Sequence, residues 1–175
     1  MAQTKSILTY NQQKILFLIS KSKDICQSFY LTGGTALAEF YLKHRLSEDL
    51  DFFSEEEVSS QDIFVYLKTI KKEAGIKKID FEPSYNRNLF FVHLDGGEVI
   101  KTEFTFFPFE RIEKGSRLNF LEIESLLDIA VNKIFTIYQK PRSRDFIDLY
   151  FILQKILYSQ NNPPSLFILK GENNG

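Results

Sequence analysis

The chain of 175 residues is poor in several residue types that define whole classes of protein. It has one cysteine, Cys26, so an internal disulfide is excluded and a reducing compartment is expected. With no acid–base context near it, Cys26 reads as a small buried hydrophobe. Neither of the two histidines, His44 and His93, has a partner at metal-ligand spacing, and His93 reads as a packed strand residue. There is no tryptophan, no internal repeat and no low-complexity segment. The formal net charge is −1, so the chain as a whole is not a polycation and any basic surface is local. The start, "MAQTKSILTY", lacks the basic-then-apolar layout of a signal peptide, and no apolar run reaches transmembrane length. These absences together predict a cytoplasmic protein with no membrane partner.

Apolar and aromatic side chains are abundant. Hydrophobic residues make up 43% of the chain, with 18 Phe and 8 Tyr, ample for the core of one domain. In "NQQKILFLISKSKDICQSF", Ile15, Leu16, Ile19 and Ile25 fall near helical spacing and predict a first helix. "FYLTGG" predicts a short strand stopped by glycines. "TALAEFYLKHR" predicts a helix with Leu37, Phe40, Tyr41 and His44 on one face, and "EDLDFFS" a strand. "SSQDIFVYLKTIKKEAG" predicts a helix capped by Ser60 and ended by Gly75. "IKKIDFEP" is a strand candidate, and "NLFFVHLDGGEVIKTEFTFFPF" predicts a hairpin turning at "DGG". After "FERIEKGSRLNF" the chain turns helical. "SLLDIAVNKIFTIY" and "SRDFIDLYFILQKILY" predict two helices, broken at Pro141, and a tail containing Pro163 and Pro164 is expected to fray. The order predicts an α+β fold, a small mixed sheet flanked by helices with a short C-terminal helical segment. Residues 1–120 would form the core, 121–160 the helical segment packed on it, and 161–175 the tail.

The chemistry gathers around "FYLTGGTALAEFYLKHRLSEDLDFFS". Asp49 and Asp51 interrupt a run that a buried strand would fill with Val or Ile. Strand side chains two apart share a face, here about 7 Å apart. Carboxylates that close repel each other unless a divalent cation stands between them, and hard oxygen ligands suit Mg²⁺ or Mn²⁺. On this tripeptide alone, a pair of solvent-facing acids on an edge strand is the alternative. Gly33 and Gly34, followed by Thr35, end one strand and open a helix, which lets backbone N–H groups approach an anion; a plain tight turn would look the same. Glu103 shares a strand face with Lys101 and Thr105, and also with Val99 and Phe107. It is either a third acid for the pair or a strand residue partnered by Lys101. Lys133, in an otherwise apolar helix, either snorkels to solvent or points into a cleft at an anion. Ser125-x-x-Asp128 resembles a capping box, which gives Asp128 a structural role. Asp145 and Asp148 lie three apart on a helix, hence on a similar face. Lys140, Arg142 and Arg144 form a basic cluster, open to RNA phosphates or simply solvated.

A glycine turn opening a helix, a D-x-D strand and a third acid on another strand resemble the nucleotidyltransferase signature. More specifically, "LTGGTALAEFYLKHRLSEDLDFFS" and "KIFTIYQKPRSRDFIDLYFIL" resemble the AbiEii/AbiGii toxin family, nucleotidyltransferase-like toxins of abortive-infection and type IV toxin–antitoxin systems. The resemblance covers about residues 25 to 157. It implies a Mg²⁺- or Mn²⁺-dependent transfer of NMP from an NTP to an acceptor such as the 3′ end of tRNA, with a cognate antitoxin as partner. It implies that Asp49, Asp51 and Glu103 are the catalytic, metal-binding acids, and that Gly33, Gly34 and Thr35 form the triphosphate turn. Arg45 and Ser47 would bind phosphate or hold the site together, and Lys133 would bind the triphosphate. Asp145 and Asp148 would support the site from behind. The third acid is Glu where Asp is common, and the C-terminal helical region is shorter than in many members. From other classes come two alternatives: a non-catalytic nucleotide- or protein-binding module that keeps the fold, and a transferase acting on a protein hydroxyl.

Overall fold

In the computed structural model, which describes residues 6–57 and 59–161, short polar signals start and stop the helices. The Thr9 hydroxyl accepts from the Gln12 N–H, and Gln12 Oε1 accepts from the Thr9 N–H, so a reciprocal box opens α1 (Tyr10–Lys21). The expected first helix is in fact two. At Ser22 the backbone turns extended, and the Ser22 hydroxyl caps α2 (Lys23–Ser28). Then follow β1 (Tyr30–Thr32), α3 (Gly33–Ala36) and a π-helical turn (Leu37–Leu42). That wide turn ends at Lys43 in left-handed conformation, so His44 lies beyond the helix face on which the spacing put it. β2 is Leu50–Ser54. Ser59, one residue before the expected Ser60, caps α4 (Ser60–Thr69); α5 (Lys71–Ala74) stops at Gly75, φ 76°, as its sequence position suggests.

β3 (Ile76–Ser84), β4 (Arg87–Leu94) and β5 (Val99–Phe106) form an antiparallel meander. The "DGG" turn is realised with Gly96 and Gly97 both at positive φ. Two short strands unforeseen from the sequence, β6 (Arg117–Leu118) and β7 (Leu121–Ile123), carry the sheet past residue 120. α6 (Leu126–Gln139) and α7 (Ser143–Asn161) follow, separated around Pro141 as the sequence indicated. The tail with Pro163 and Pro164 lies outside the described residues.

The seven strands run in the order β3-β4-β5-β2-β1-β7-β6, so the acid-bearing β2 is central rather than an edge strand. β2 pairs in parallel with β5 and β1 in parallel with β7; the remaining pairings are antiparallel. Period-two alternation sorts the two faces. Phe52, Phe90 and Phe104 pack into one core with Ile15 and Ile19 of α1 and Ile63 and Leu67 of α4. The Phe52 and Phe104 rings stack at 4.8 Å, and Phe29 meets Phe104 edge-on at 5.0 Å. Each such buried ring contributes roughly 1.5–3 kcal/mol by removal from water. Cys26 is buried in this core. The register aligns Asp51 with Thr32 on one side and Glu103 on the other, which sends all three to the opposite face. His93 pairs with Asp80 across the β3–β4 hairpin at 2.9 Å.

Candidate active site

The glycine turn and the acid strand fit together through missing side chains. Gly33 has φ 71°, and a Cβ there would stand 2.5 Å from Asp51 Oδ2. A Cβ on Gly34 would stand 2.5 Å from Arg45 Nη2 and 3.1 Å from Ser47 Oγ. Both glycines are thus required by close approach, one to the acid and one to the cation beside it. The half-buried Asp51 carboxylate accepts no hydrogen bond among the described residues. Burial, then the charges of Glu103 and Asp49, push its pKa up to about 6 against the opposing pull of Lys101 and Lys133.

Asp49 stands just before β2, with its carbonyl fixed by the Thr35 hydroxyl. Thr35, expected at the triphosphate, is fully buried and spends its hydroxyl on this brace. Glu103 is 7% exposed and gripped by Arg87 through Nε and Nη2, both at 2.6 Å, with the Thr105 hydroxyl at 3.1 Å. Burial alone would raise the Glu103 pKa, but the Arg87 bonds and the Lys101 charge overcome it and hold the group below its ordinary value. Lys101 Nζ lies 3.1 Å from Asp49 Oδ2 and 3.5 Å from Glu103 Oε2, bridging the two. Both of these acids therefore open on the same space.

No three His, Cys, Asp or Glu side chains among the described residues are gathered closely enough to hold a metal ion as they stand. The donor set nevertheless suits a hard divalent cation: carboxylate oxygens from neighbouring strands, one of them half-buried and unpartnered. Lys101 is the group that has to turn aside for the acids to close around an ion.

A second acid cluster backs the first. Asp148 is fully buried and accepts from His44 Nε2 at 2.8 Å, Arg45 Nε at 2.7 Å, Arg45 Nη2 at 2.8 Å and Lys133 Nζ at 2.7 Å. Asp145, also fully buried, accepts from Lys133 at 2.8 Å and Arg142 Nε at 2.8 Å. Burial opposes ionisation of both acids, but hydrogen bonds from Arg45, Lys133 and His44 to Asp148, and from Arg142 and Lys133 to Asp145, win and hold both pKa values low. Lys133 is 7% exposed and does not snorkel. It shares Asp148 with Arg45, the side chain against Gly34, so its ammonium lies one ion pair from the turn. Arg142 of the basic cluster is tied to Asp145. Asp128 caps: it accepts from the Ser125 hydroxyl and from the Ile112 and Glu113 N–H groups.

Three contributors escaped the sequence reading. Arg87 holds Glu103 across the hairpin, Gln12 donates to the Ser47 and Glu48 carbonyls at 3.1 and 2.7 Å, and His44 joins Asp148. The hairpin register was the available signal for Arg87: extending β4 back by one residue from Asn88 brings Arg87 opposite Thr105, diagonal to Glu103.

A mixed sheet with a glycine turn set against an acid on a central strand, and a third acid on its parallel neighbour, defines a nucleotidyltransferase-type fold. Solved structures agree. JHP933 from Helicobacter pylori superimposes with a TM-score of 0.61 at 18% identity, covering 84% of this chain and 68% of that one. The Megavirus polyadenylate synthase gives 0.56 at 16% identity, covering 83% of this chain and 31% of that one. The chain belongs to the AbiEii family, described as the nucleotidyl transferase AbiEii toxin of type IV toxin–antitoxin systems, whose model matches residues 16–170. An uncharacterized protein of Aquifex aeolicus is 35% identical over 134 residues, which are 77% of this chain; the chain spans 62% of that relative's length. No helix among the described residues is long and apolar enough to cross a membrane.

Proposed function

We propose that the chain is a metal-dependent nucleotidyltransferase that moves NMP from an NTP to an acceptor hydroxyl. We take the 3′ end of tRNA as the acceptor, and a cytoplasmic toxin with a cognate antitoxin as the setting. One observation carries this reading: Asp51 lies against the Gly33 turn with no hydrogen-bond partner among the described residues, beside Glu103 on the next strand. A carboxylate left in that state costs stability and is retained for a ligand.

Bound Mg²⁺ or Mn²⁺ would neutralise phosphoryl oxygens and acidify the acceptor hydroxyl. The chain's own groups do the rest. The Gly33–Gly34 turn admits a phosphate to the backbone, flanked by Arg45 and Ser47. Lys133 has two N–H groups committed to Asp145 and Asp148 and one left to donate to the triphosphate. Glu103, kept ionised by Arg87, takes the proton of the acceptor hydroxyl. Asp145 and Asp148 fix Lys133 and Arg45 for this work and touch no substrate.

A non-catalytic module is favoured by one fact: Lys101 and Arg87 already satisfy Asp49 and Glu103. Incubation with each labelled NTP, Mg²⁺ and either total RNA or protein lysate separates the readings. Label on the 3′ end of RNA is the expected result. Label on protein alone would redirect the acceptor to a protein hydroxyl, and no label with any mixture would favour the module.

A further inference from the structure

Beside the acids, the same region of the fold carries an aromatic hollow of about 200 Å³. Tyr30, Phe107, Phe109, Val131, Asn132 and Phe135 are among its walls. Its aromatic side is continuous with the acid strand: Phe53 meets Tyr30 at 6.2 Å and Phe107 at 4.8 Å, and Phe107 meets Phe109 at 4.8 Å. Phe53 follows Asp51 by two residues, and Tyr30 is its cross-strand partner. The hollow thus begins about 7 Å along the strand from the acid.

Its polar edge is unusual for a folded core. Tyr30 is 3% exposed, yet its hydroxyl has no hydrogen-bond partner among the described residues. Buried polar groups are satisfied in the great majority of cases, so such a group points to a missing partner. Asn132 donates its Nδ2 to Glu124, while its Oδ1 accepts nothing among the described residues. Glu124 is taken up by Thr32 and Asn132, and Arg111 by Glu55 and Glu122. What remains for a ligand is one hydroxyl and one amide oxygen between aromatic walls; of the charges around them only the exposed Glu110 carboxylate, an anion, has no partner among the described residues. A phosphate finds no free cation there. A flat heteroaromatic ring with a donor and an acceptor on one edge finds both faces and edge matched.

We propose that this hollow receives the base of a nucleotide handled at the acids, stacked against the Phe107 and Phe135 walls and read along its edge by Tyr30 and Asn132. The assignment rests on the transferase reading and adds the residues that select the base. The base belongs either to the NTP or to the terminal nucleotide of the acceptor RNA.

The test is equilibrium binding, with Mg²⁺, of the four NTPs, of base-free ribose triphosphate, and of four short RNAs differing only in the 3′ base. The wild type is compared with Tyr30→Phe and Phe135→Ala. Tyr30→Phe keeps the ring and removes an unpaired buried hydroxyl, so its thermal stability should hold or rise. It should shrink the affinity ratio between preferred and disfavoured bases by about tenfold, because an edge read by hydrogen bonds loses a partner. Phe135→Ala should weaken every base by about tenfold through lost stacking. Binding of ribose triphosphate should be unmoved by either change. Effects confined to the NTPs assign the donor base, and effects confined to the RNAs assign the acceptor base. Base ratios unchanged by Tyr30→Phe in both series would overturn the base assignment while NTP binding keeps the transferase reading. Absence of NTP binding to the wild type would overturn both.

Discussion

Asp145 and Asp148 on α7 and Asp51 on β2 are all drawn out of water, yet the first two hold their charge while the proton affinity of Asp51 rises. Burial opposes ionisation of all three acids, and at Asp51 it is the largest cause of the raised pKa. Partners decide whether burial wins. His44, Arg45 and Lys133 converge on Asp148, and Lys133 and Arg142 on Asp145. Asp51 faces the negative charges of Asp49 and Glu103 and takes no hydrogen bond. One cluster is neutralised by the fold itself. The other is left short of positive charge, on the face where the glycine turn ends. The lesson is that a buried carboxylate's task is read from whether its charge is already paid for by partners.

The largest effect should come from breaking the satisfied cluster. Asp148→Asn leaves His44, Arg45 and Lys133 without their common anion, and unpairing a buried ion network costs about 3–5 kcal/mol. Urea unfolding measures this, and a loss below about 1 kcal/mol would mean that the cluster does not act as a unit. Asp51→Asn should do the reverse. Transfer should fall by about a hundredfold or more as charge stabilisation at the reacting phosphate is lost, while stability holds or rises as repulsion is relieved. Labelled-NTP kinetics and thermal unfolding of the same preparation check both halves.

The two clusters should also answer pH with opposite signs. Asp145 and Asp148 have folded pKa values below the unfolded value near 3.9, so their stabilisation is present above that pH and is lost as pH falls through the folded values. The deficit of Asp148→Asn should therefore shrink in acid. Asp51 has a folded pKa of about 6, above its unfolded 3.8, so its unfavourable contribution is absent below the lower value and complete above the higher one. The gain from Asp51→Asn should grow from about pH 4 to about pH 6 and then level off; unfolding temperatures across about pH 2 to 8 would show the Asp148→Asn deficit changing only below about pH 4 and the Asp51→Asn gain only above it. The smallest effect belongs to Lys101, which bridges Asp49 and Glu103. Lys101→Gln should tighten Mn²⁺ binding by about tenfold at low salt and by less at high salt, as seen by titration calorimetry.

Much of this was legible in the sequence, for local reasons. Period-two alternation and the "DGG" turn give the β4–β5 hairpin, Gly75 stops its helix, and the interruption of an apolar strand by Asp49 and Asp51 points to the candidate site. What was not legible depends on distant pairing. β7 has three residues and β6 has two, too few to show any period, and they exist because β1 offers an edge to pair with. His44 looked solitary because its partner Asp148 stands 104 residues away in sequence. Thr35 was expected to serve the triphosphate as a hydroxyl next to glycines, but only the packing of α3 on β2 reveals that the Asp49 carbonyl claims it. The split at Ser22 turns on one hydroxyl that serves as a cap, which helical spacing across Ile19 and Ile25 does not register.

The contrast between the clusters is tested most directly by Mn²⁺ binding, followed through the ion's paramagnetic signal, to the wild type, Asp51→Asn and Asp145→Asn, each checked for folding by circular dichroism. The account predicts that the wild type and Asp145→Asn bind Mn²⁺ and that Asp51→Asn does not. Wild-type affinity in Asp51→Asn, or loss of binding in a folded Asp145→Asn protein, would contradict it.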